Sequence, residues 1–215
     1  MKNRIVCDID GVIGDIYSII VMKLLEKNLL TQDQKKDLIY TKSMYIEDVY
    51  SIGLQDEIHK IIDKEILEVK PYPEVSYVLP KLCQYLEASI IFITARGDWL
   101  HSRTVEWIMF NIPNMPNFDL YHSKTKVELL KQIKPIIYIE DSKELADLGS
   151  SYSDRVYLVD RKWNRENNTH NNKIIKVENF LDIYLHEITN GKENGHAQEK
   201  SETLHRNFKS VNTLG

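Results

Sequence analysis

The chain has 215 residues, 42% of them hydrophobic and 28% charged, with a formal net charge of -4. The length allows one well-buried domain, or one domain with a sizeable insertion, the proportions are those of a soluble globular protein, and the negative balance excludes a global attraction to nucleic acid or to an anionic membrane surface. Two cysteines, Cys7 and Cys83, argue against a disulfide framework, and no apolar run is long enough to span a bilayer, so the expected location is the cytoplasm.

The first expected element is a strand ending at Cys7, followed by Asp8-Ile-Asp10-Gly11-Val12. Two carboxylates leave the carboxyl end of a buried strand, where ligands of open parallel sheets bind, and the glycines let the chain turn. From Ile16 the apolar spacing becomes helical. No long strand is expected before Lys70: Thr31-Gln-Asp-Gln reads as a helix start, Ile58, Ile61, Ile62 and Ile66 form a helical stripe, and Tyr40, Tyr45 and Tyr50 mark an aromatic section between them. Residues 15–70 are therefore expected to be a helical insertion into a core made of residues 1–14 and 71–188.

Pro71-Tyr-Pro73 returns the chain to that core. A helix over 75–86 follows, with Pro80 near its start or kinking it. Ser89–Thr94 is a continuous apolar strand of the kind buried on both faces. Next come a helix over 103–110, a short strand over 118–121, and a helix beginning at Lys126. A further apolar strand, Ile136–Glu140, ends in acid at Glu140-Asp141. A short helix over 143–148, a strand over 155–160 and a last helix over 177–188 complete the folded part. Residues 189–215 are poor in apolar side chains and are expected to be a disordered tail. Strands alternating with helices imply an α/β fold, a parallel sheet with helices on both faces.

In that fold Asp8, Asp10, Thr94, Lys124 or Lys126, Glu140 and Asp141 all open onto one sheet edge. Several carboxylates brought together repel one another unless a cation lies among them, and all-oxygen ligation favours Mg²⁺. A threonine hydroxyl and a lysine beside it would complete a site for a phosphoryl group. Asp98 and Asp160, also near strand ends, are expected to cap helices.

This order resembles the haloacid dehalogenase-like phosphohydrolase superfamily, on Asp8-Ile-Asp10-Gly11-Val12, Ile93-Thr94-Ala95-Arg96, Lys126 and Tyr138-Ile-Glu140-Asp141. The resemblance implies a Rossmann-like core with a helical cap inserted after the first strand. It implies Asp8 as nucleophile, Asp10 as general acid and base, and Thr94, Ala95 and Lys126 as the phosphate-binding residues. Asp8, the Asp10 carbonyl and Asp141, with Glu140 assisting, would hold Mg²⁺. The late Glu-Asp pair departs from the Asp-Asp of many relatives, and Lys124 competes with Lys126 for the role of the lysine.

Pro71-Tyr-Pro-Glu-Val, Glu106-Trp107-Ile108 and Leu158-Val-Asp-Arg-Lys-Trp163-Asn164-Arg165 are similar to the cytosolic 5′(3′)-deoxyribonucleotidases, which implies a nucleoside monophosphate or similar small ester as substrate. The Thr-Ala-Arg region is also similar to polynucleotide 3′-phosphatases. That reading would need a basic groove of Arg96, Arg103, Lys124, Arg161, Lys162 and Arg165. A non-catalytic, receiver-like phosphate sensor is a third reading, against which Asp10 and the cap-length insertion count.

Overall fold

The computed structural model describes residues 3–34, 54–123, 125–165 and 171–193. Six strands, β1 (Asn3–Cys7), β2 (Ala88–Thr94), β3 (Phe118–His122), β4 (Ile137–Glu140), β5 (Arg155–Val159) and β6 (Ile174–Val177), form one sheet. Its order is β3-β2-β1-β4-β5-β6 and every pairing is parallel. The order reverses direction between β1 and β4, and such a reversal opens a crevice at the carboxyl ends of those strands.

The continuous apolar runs follow from two packed faces. Ile5, Cys7, Ile90, Phe92, Ile137 and Ile139 point into one layer, with Leu79, Leu82, Trp107 and Phe180. Their neighbours Val6, Ile91, Ile93 and Tyr138 point into the other, with Leu130 and Ala146. The first layer is covered by α3 (Val75–Tyr85), α4 (His101–Asn111) and α7 (Phe180–Glu193), the second by α5 (Lys126–Ile133) and α6 (Lys143–Gly149). α3 runs unbroken through Pro80, although proline brings no N–H to the carbonyl of Ser76 one turn earlier.

The insertion contributes α1 (Ile16–Glu26), α2 (Gln55–Glu65) and a 3-10 turn, Ile66–Glu68. Asp15 caps α1, accepting from Ser18 N at 3.2 Å and Ser18 Oγ at 2.6 Å. The expected helix start at Thr31 is a reciprocal capping box: Thr31 N donates to Gln34 Oε1 and Gln34 N to Thr31 Oγ1. Ile20, Val21, Leu24, Leu30, Ile58 and Ile61 give this segment an apolar cluster of its own. Tyr40, Tyr45 and Tyr50 lie outside the described residues. The two linkers meet side by side, with Asp15 N donating to Lys70 O at 2.8 Å and Tyr72 N to Ile13 O at 3.0 Å.

Three expectations are corrected. Residues 174–177 form a sixth strand, so Val177 ends a strand and the last helix starts at Phe180. Asn179 begins that helix, its Oδ1 accepting from Leu181 N and Asp182 N. The helix also continues past Ile188 to Glu193, and residues 194–215 lie outside the described residues. Neither Asp98 nor Asp160 caps a helix: no side-chain cap bond precedes α4, and Asp160 pairs with Lys176 and Arg165, both at 3.1 Å. No helix among the described residues is long and apolar enough to cross a membrane.

Candidate active site

At the β1/β4 reversal the two central strands deliver Asp8 and Glu140-Asp141 side by side. One carboxylate oxygen from each of Asp8, Glu140 and Asp141 lies within 4.8 Å of the others, and all three residues are buried. β1 ends in a tight turn in which Val12, Ile13 and Gly14 donate to Ile9 O. Gly11 holds φ +80°, and a Cβ there would stand 2.0 Å from Asp141 Oδ2. Glycine is required at this position by both conformation and space.

Lys126, the first residue of α5, reaches under this group. Its Nζ lies 2.6 Å from Asp8 Oδ2 and 3.1 Å from Glu140 Oε2, with only 4% of the residue exposed. Burial opposes the lysine's charge, but the two carboxylates outweigh it and raise its pKa. Glu140 accepts four hydrogen bonds: Asp141 N and Ser142 N at 3.1 Å on Oε1, and Lys126 and the Tyr138 hydroxyl on Oε2. Burial works against its charge too, but these partners hold its carboxyl below the usual range.

Asp8 and Asp141 are less well served. Asp8 Oδ1 accepts from Ile9 N at 2.7 Å, and burial pushes the Asp8 carboxyl up to about 7 against the pull of Lys126. Asp141 is fully buried, and neither of its oxygens has a hydrogen-bond partner. Burial, then Glu140 and Asp8, drive its pKa well above the carboxylate range. Three carboxylates thus share one ammonium. An unpaired buried carboxylate costs several kcal/mol or takes up a proton, so the residues fit a hard divalent cation held by Asp8 and Asp141.

Thr94 ends β2 beside this group and is 1% exposed; its Oγ1 accepts from Arg96 N at 3.2 Å. Ala95 follows on the exposed surface. Asp10 is held apart from the acidic cluster in a fork, with Arg96 Nε 2.8 Å from Oδ2 and an Arg96 terminal nitrogen 2.6 Å from Oδ1. Arg96 is itself buried, with Thr104 Oγ1 at 3.4 Å and its guanidinium carbon 5.7 Å from the centre of the Trp107 ring. Lys124, the alternative lysine, lies outside the described residues.

Arg96 and Arg161, expected only as members of a basic groove, and Asn164, expected only as part of a resemblance, instead hold the site's turns and acids in place. Arg161 Nε donates to Gly11 O at 2.6 Å and Arg161 stacks 3.9 Å over the Tyr72 ring, bracing the turn after β1. Asn164 donates to Asp141 O at 2.7 Å and Val159 O at 2.8 Å, bracing the turn after β4. The signal was the polar cluster after β5, whose spacing gives no hint of partners 150 residues away. Beside the turn, Trp163 reaches within 3.1 Å of the position a Gly11 Cβ would take. The Tyr17 ring of α1 stands 6.1 Å from Trp163, and the Lys162 ammonium sits 3.4 Å over Tyr17.

Solved structures that share this architecture include haloacid dehalogenase-like proteins. One from Agrobacterium tumefaciens, of unknown function, aligns with a TM-score of 0.58 at 12% identity, covering 89% of this chain and 100% of that one. A haloacid dehalogenase-like family hydrolase from Streptococcus pneumoniae gives 0.55 at 13%, covering 86% and 98%. CbbY from Rhodobacter sphaeroides, in complex with phosphate, gives 0.55 at 12%, covering 85% and 96%. No family model matches the chain, and no curated protein matches it. The chain has the haloacid dehalogenase-like α/β fold.

Proposed function

We propose that this chain is a Mg²⁺-dependent phosphomonoesterase acting on small phosphate esters, most naturally nucleoside monophosphates. The observation that carries this reading is the buried Asp141 carboxylate, unpartnered beside Asp8, with Lys126 bridging Asp8 and Glu140. That arrangement is costly as it stands and suits a site completed by a cation and a phosphoryl group.

In this reading Asp8, the Asp10 carbonyl and Asp141 hold Mg²⁺, which offsets the repulsion between an attacking carboxylate and an anionic ester. Asp8 attacks phosphorus, the bond to the leaving oxygen breaks, and Asp10 protonates that oxygen. Asp10 then takes a proton from the water that attacks the aspartyl phosphate, releasing inorganic phosphate and restoring Asp8. Thr94, the Ala95 backbone and Lys126 hold the transferring oxygens. The Arg96 fork engages both oxygens of Asp10 and so fixes the orientation in which Asp10 meets the leaving group, each oxygen keeping a second lone pair. Glu140, already accepting four hydrogen bonds, serves Lys126 more than the cation.

Residues 15–70 act as the cap, hinged where the linkers pair. Tyr17 and Trp163 offer aromatic surface beside the turn, which suits a nucleobase. A polynucleotide groove draws less support: Arg96 faces Asp10, Arg103 the α2 carbonyls, Arg161 the Gly11 carbonyl and Arg165 Asp160.

Phosphate release from mononucleotides, sugar phosphates and 3′-phosphorylated oligonucleotides tests the proposal, with Mg²⁺ or EDTA and with Asp8→Asn. Release is expected with Mg²⁺ only, highest on a mononucleotide and lost in the variant. A folded, Mg²⁺-binding protein that releases phosphate from no ester would end the hydrolase reading.

A further inference from the structure

β4 alternates its side chains, so Tyr138 and Glu140 share the face opposite Ile137 and Ile139. The rest of that buried cluster is aliphatic: Val6, Ile91, Ile93, Leu130, Ala146, Val156, Leu158 and Ile174. A phenylalanine would fill the space equally well. The ring is wholly buried and lies so close to Gly149 that a Cβ there would meet it at 2.6 Å. A hydroxyl placed in such a layer is costly unless paired, and this one donates to Glu140 Oε2.

That oxygen is also the one that Lys126 Nζ approaches at 3.1 Å, while the same ammonium stands 2.6 Å from Asp8 Oδ2. The other oxygen of Glu140 is fixed by the Asp141 and Ser142 backbone N–H groups. A continuous chain therefore runs from the apolar layer to the site: Tyr138 hydroxyl, Glu140 carboxylate, Lys126 ammonium, Asp8 carboxylate. With the hydroxyl present, Oε2 divides its charge between two donors. Without it, Lys126 becomes the sole donor to Oε2 and is drawn towards Glu140 and away from Asp8.

We propose that Tyr138 is a positioning residue whose hydroxyl, acting through Glu140, sets where the Lys126 ammonium meets the phosphoryl group at Asp8. This rests on the reading of Lys126 as the phosphate-binding lysine. The test is a double-mutant cycle of Tyr138→Phe and Glu140→Gln, read by calorimetric binding of inorganic phosphate with Mg²⁺ and by hydrolysis of p-nitrophenyl phosphate. Tyr138→Phe keeps the ring, so the fold is expected to survive, checked by melting. It is expected to weaken phosphate binding and slow hydrolysis by about tenfold each, the scale of one hydrogen bond to a charged group. In the Glu140→Gln background the same change is expected to do nothing further.

Wild-type behaviour in Tyr138→Phe overturns the proposal, as does an equal loss in both backgrounds, which a packing defect would produce. If the wild type binds phosphate and shows the coupling but hydrolyses no ester, the positioning role stands and the hydrolase reading falls. A wild type that binds no phosphate and hydrolyses nothing overturns both.

Discussion

Asp141 is where the cost of the site is concentrated. Its carboxylate is buried without a donor, facing two other carboxylates and one lysine. Asp141→Asn removes the repulsion while keeping the shape, so the metal-free variant is expected to melt above the metal-free wild type, by about 1–3 kcal/mol in stability. Mg²⁺ at a hundred times its Kd should raise the wild-type melting temperature by roughly 5–10 °C, equivalent to about 2.7 kcal/mol. It should leave the variant unmoved. Calorimetric melting with and without the ion checks both, and a lower melting point for metal-free Asp141→Asn would count against the strain. At Gly11 the expectation is opposite: Gly11→Ala meets Asp141 Oδ2 and requires positive φ, so both folding and Mg²⁺ binding should suffer. At this scale the sequence shows which residue types stand at strand ends, because carboxylates after apolar runs are conspicuous. It does not show their partners. The Arg96–Asp10 fork joins residues 86 positions apart, a distance that only the fold closes.

Among the elements, β5 and β6 are tied at their carboxyl ends by Asp160, which pairs with Lys176 of β6 and with Arg165. Burial opposes its charge, but those cations together outweigh it and hold its carboxyl below the usual 3.8. A depressed folded value contributes stability that is complete above the unfolded pKa and lost as pH falls through the folded one. Asp160→Asn should therefore lower the melting temperature at pH 7, and the gap to wild type should close below about pH 4. A gap constant across that range would assign the loss to packing. β6 also shows why some elements escaped the sequence. Ala88–Thr94 and Ile137–Glu140 are almost wholly buried and read as strands on composition alone. Ile174–Val177 is a four-residue edge strand carrying Lys176, and its apolar residues merge with the helical pattern that follows. The capping residue at Thr31 was legible, whereas Asn179, which caps the last helix, was hidden by the apolar residues of β6 just before it.

For the molecule as a whole, α2 and the 3-10 turn that follows it are fastened to α4 as well as through the paired linkers. Arg103 and Trp107 on α4 donate to the carbonyls of Lys64 and Val69 at 2.9 and 2.8 Å. The exposed Trp99 donates to Asp63 Oδ1 at 3.2 Å. Arg103→Ala should speed amide hydrogen exchange in α2 and the following 3-10 turn while leaving β1 and β4 protected. Uniform loss of protection would mean that Arg103 supports the core instead.

The strand order also constrains how the chain comes off the ribosome. β1 is made first, yet its partners begin at Ala88 and Ile137. At about 5–20 residues per second, the second partner emerges on the order of ten seconds later. Until β2 is made, the segment that leads to Asp8 is a strand with both edges open, and one edge stays open until β4 follows. Variants that slow synthesis between residues 8 and 137 should then leave more of the nascent chain bound to chaperones, without altering the finished protein.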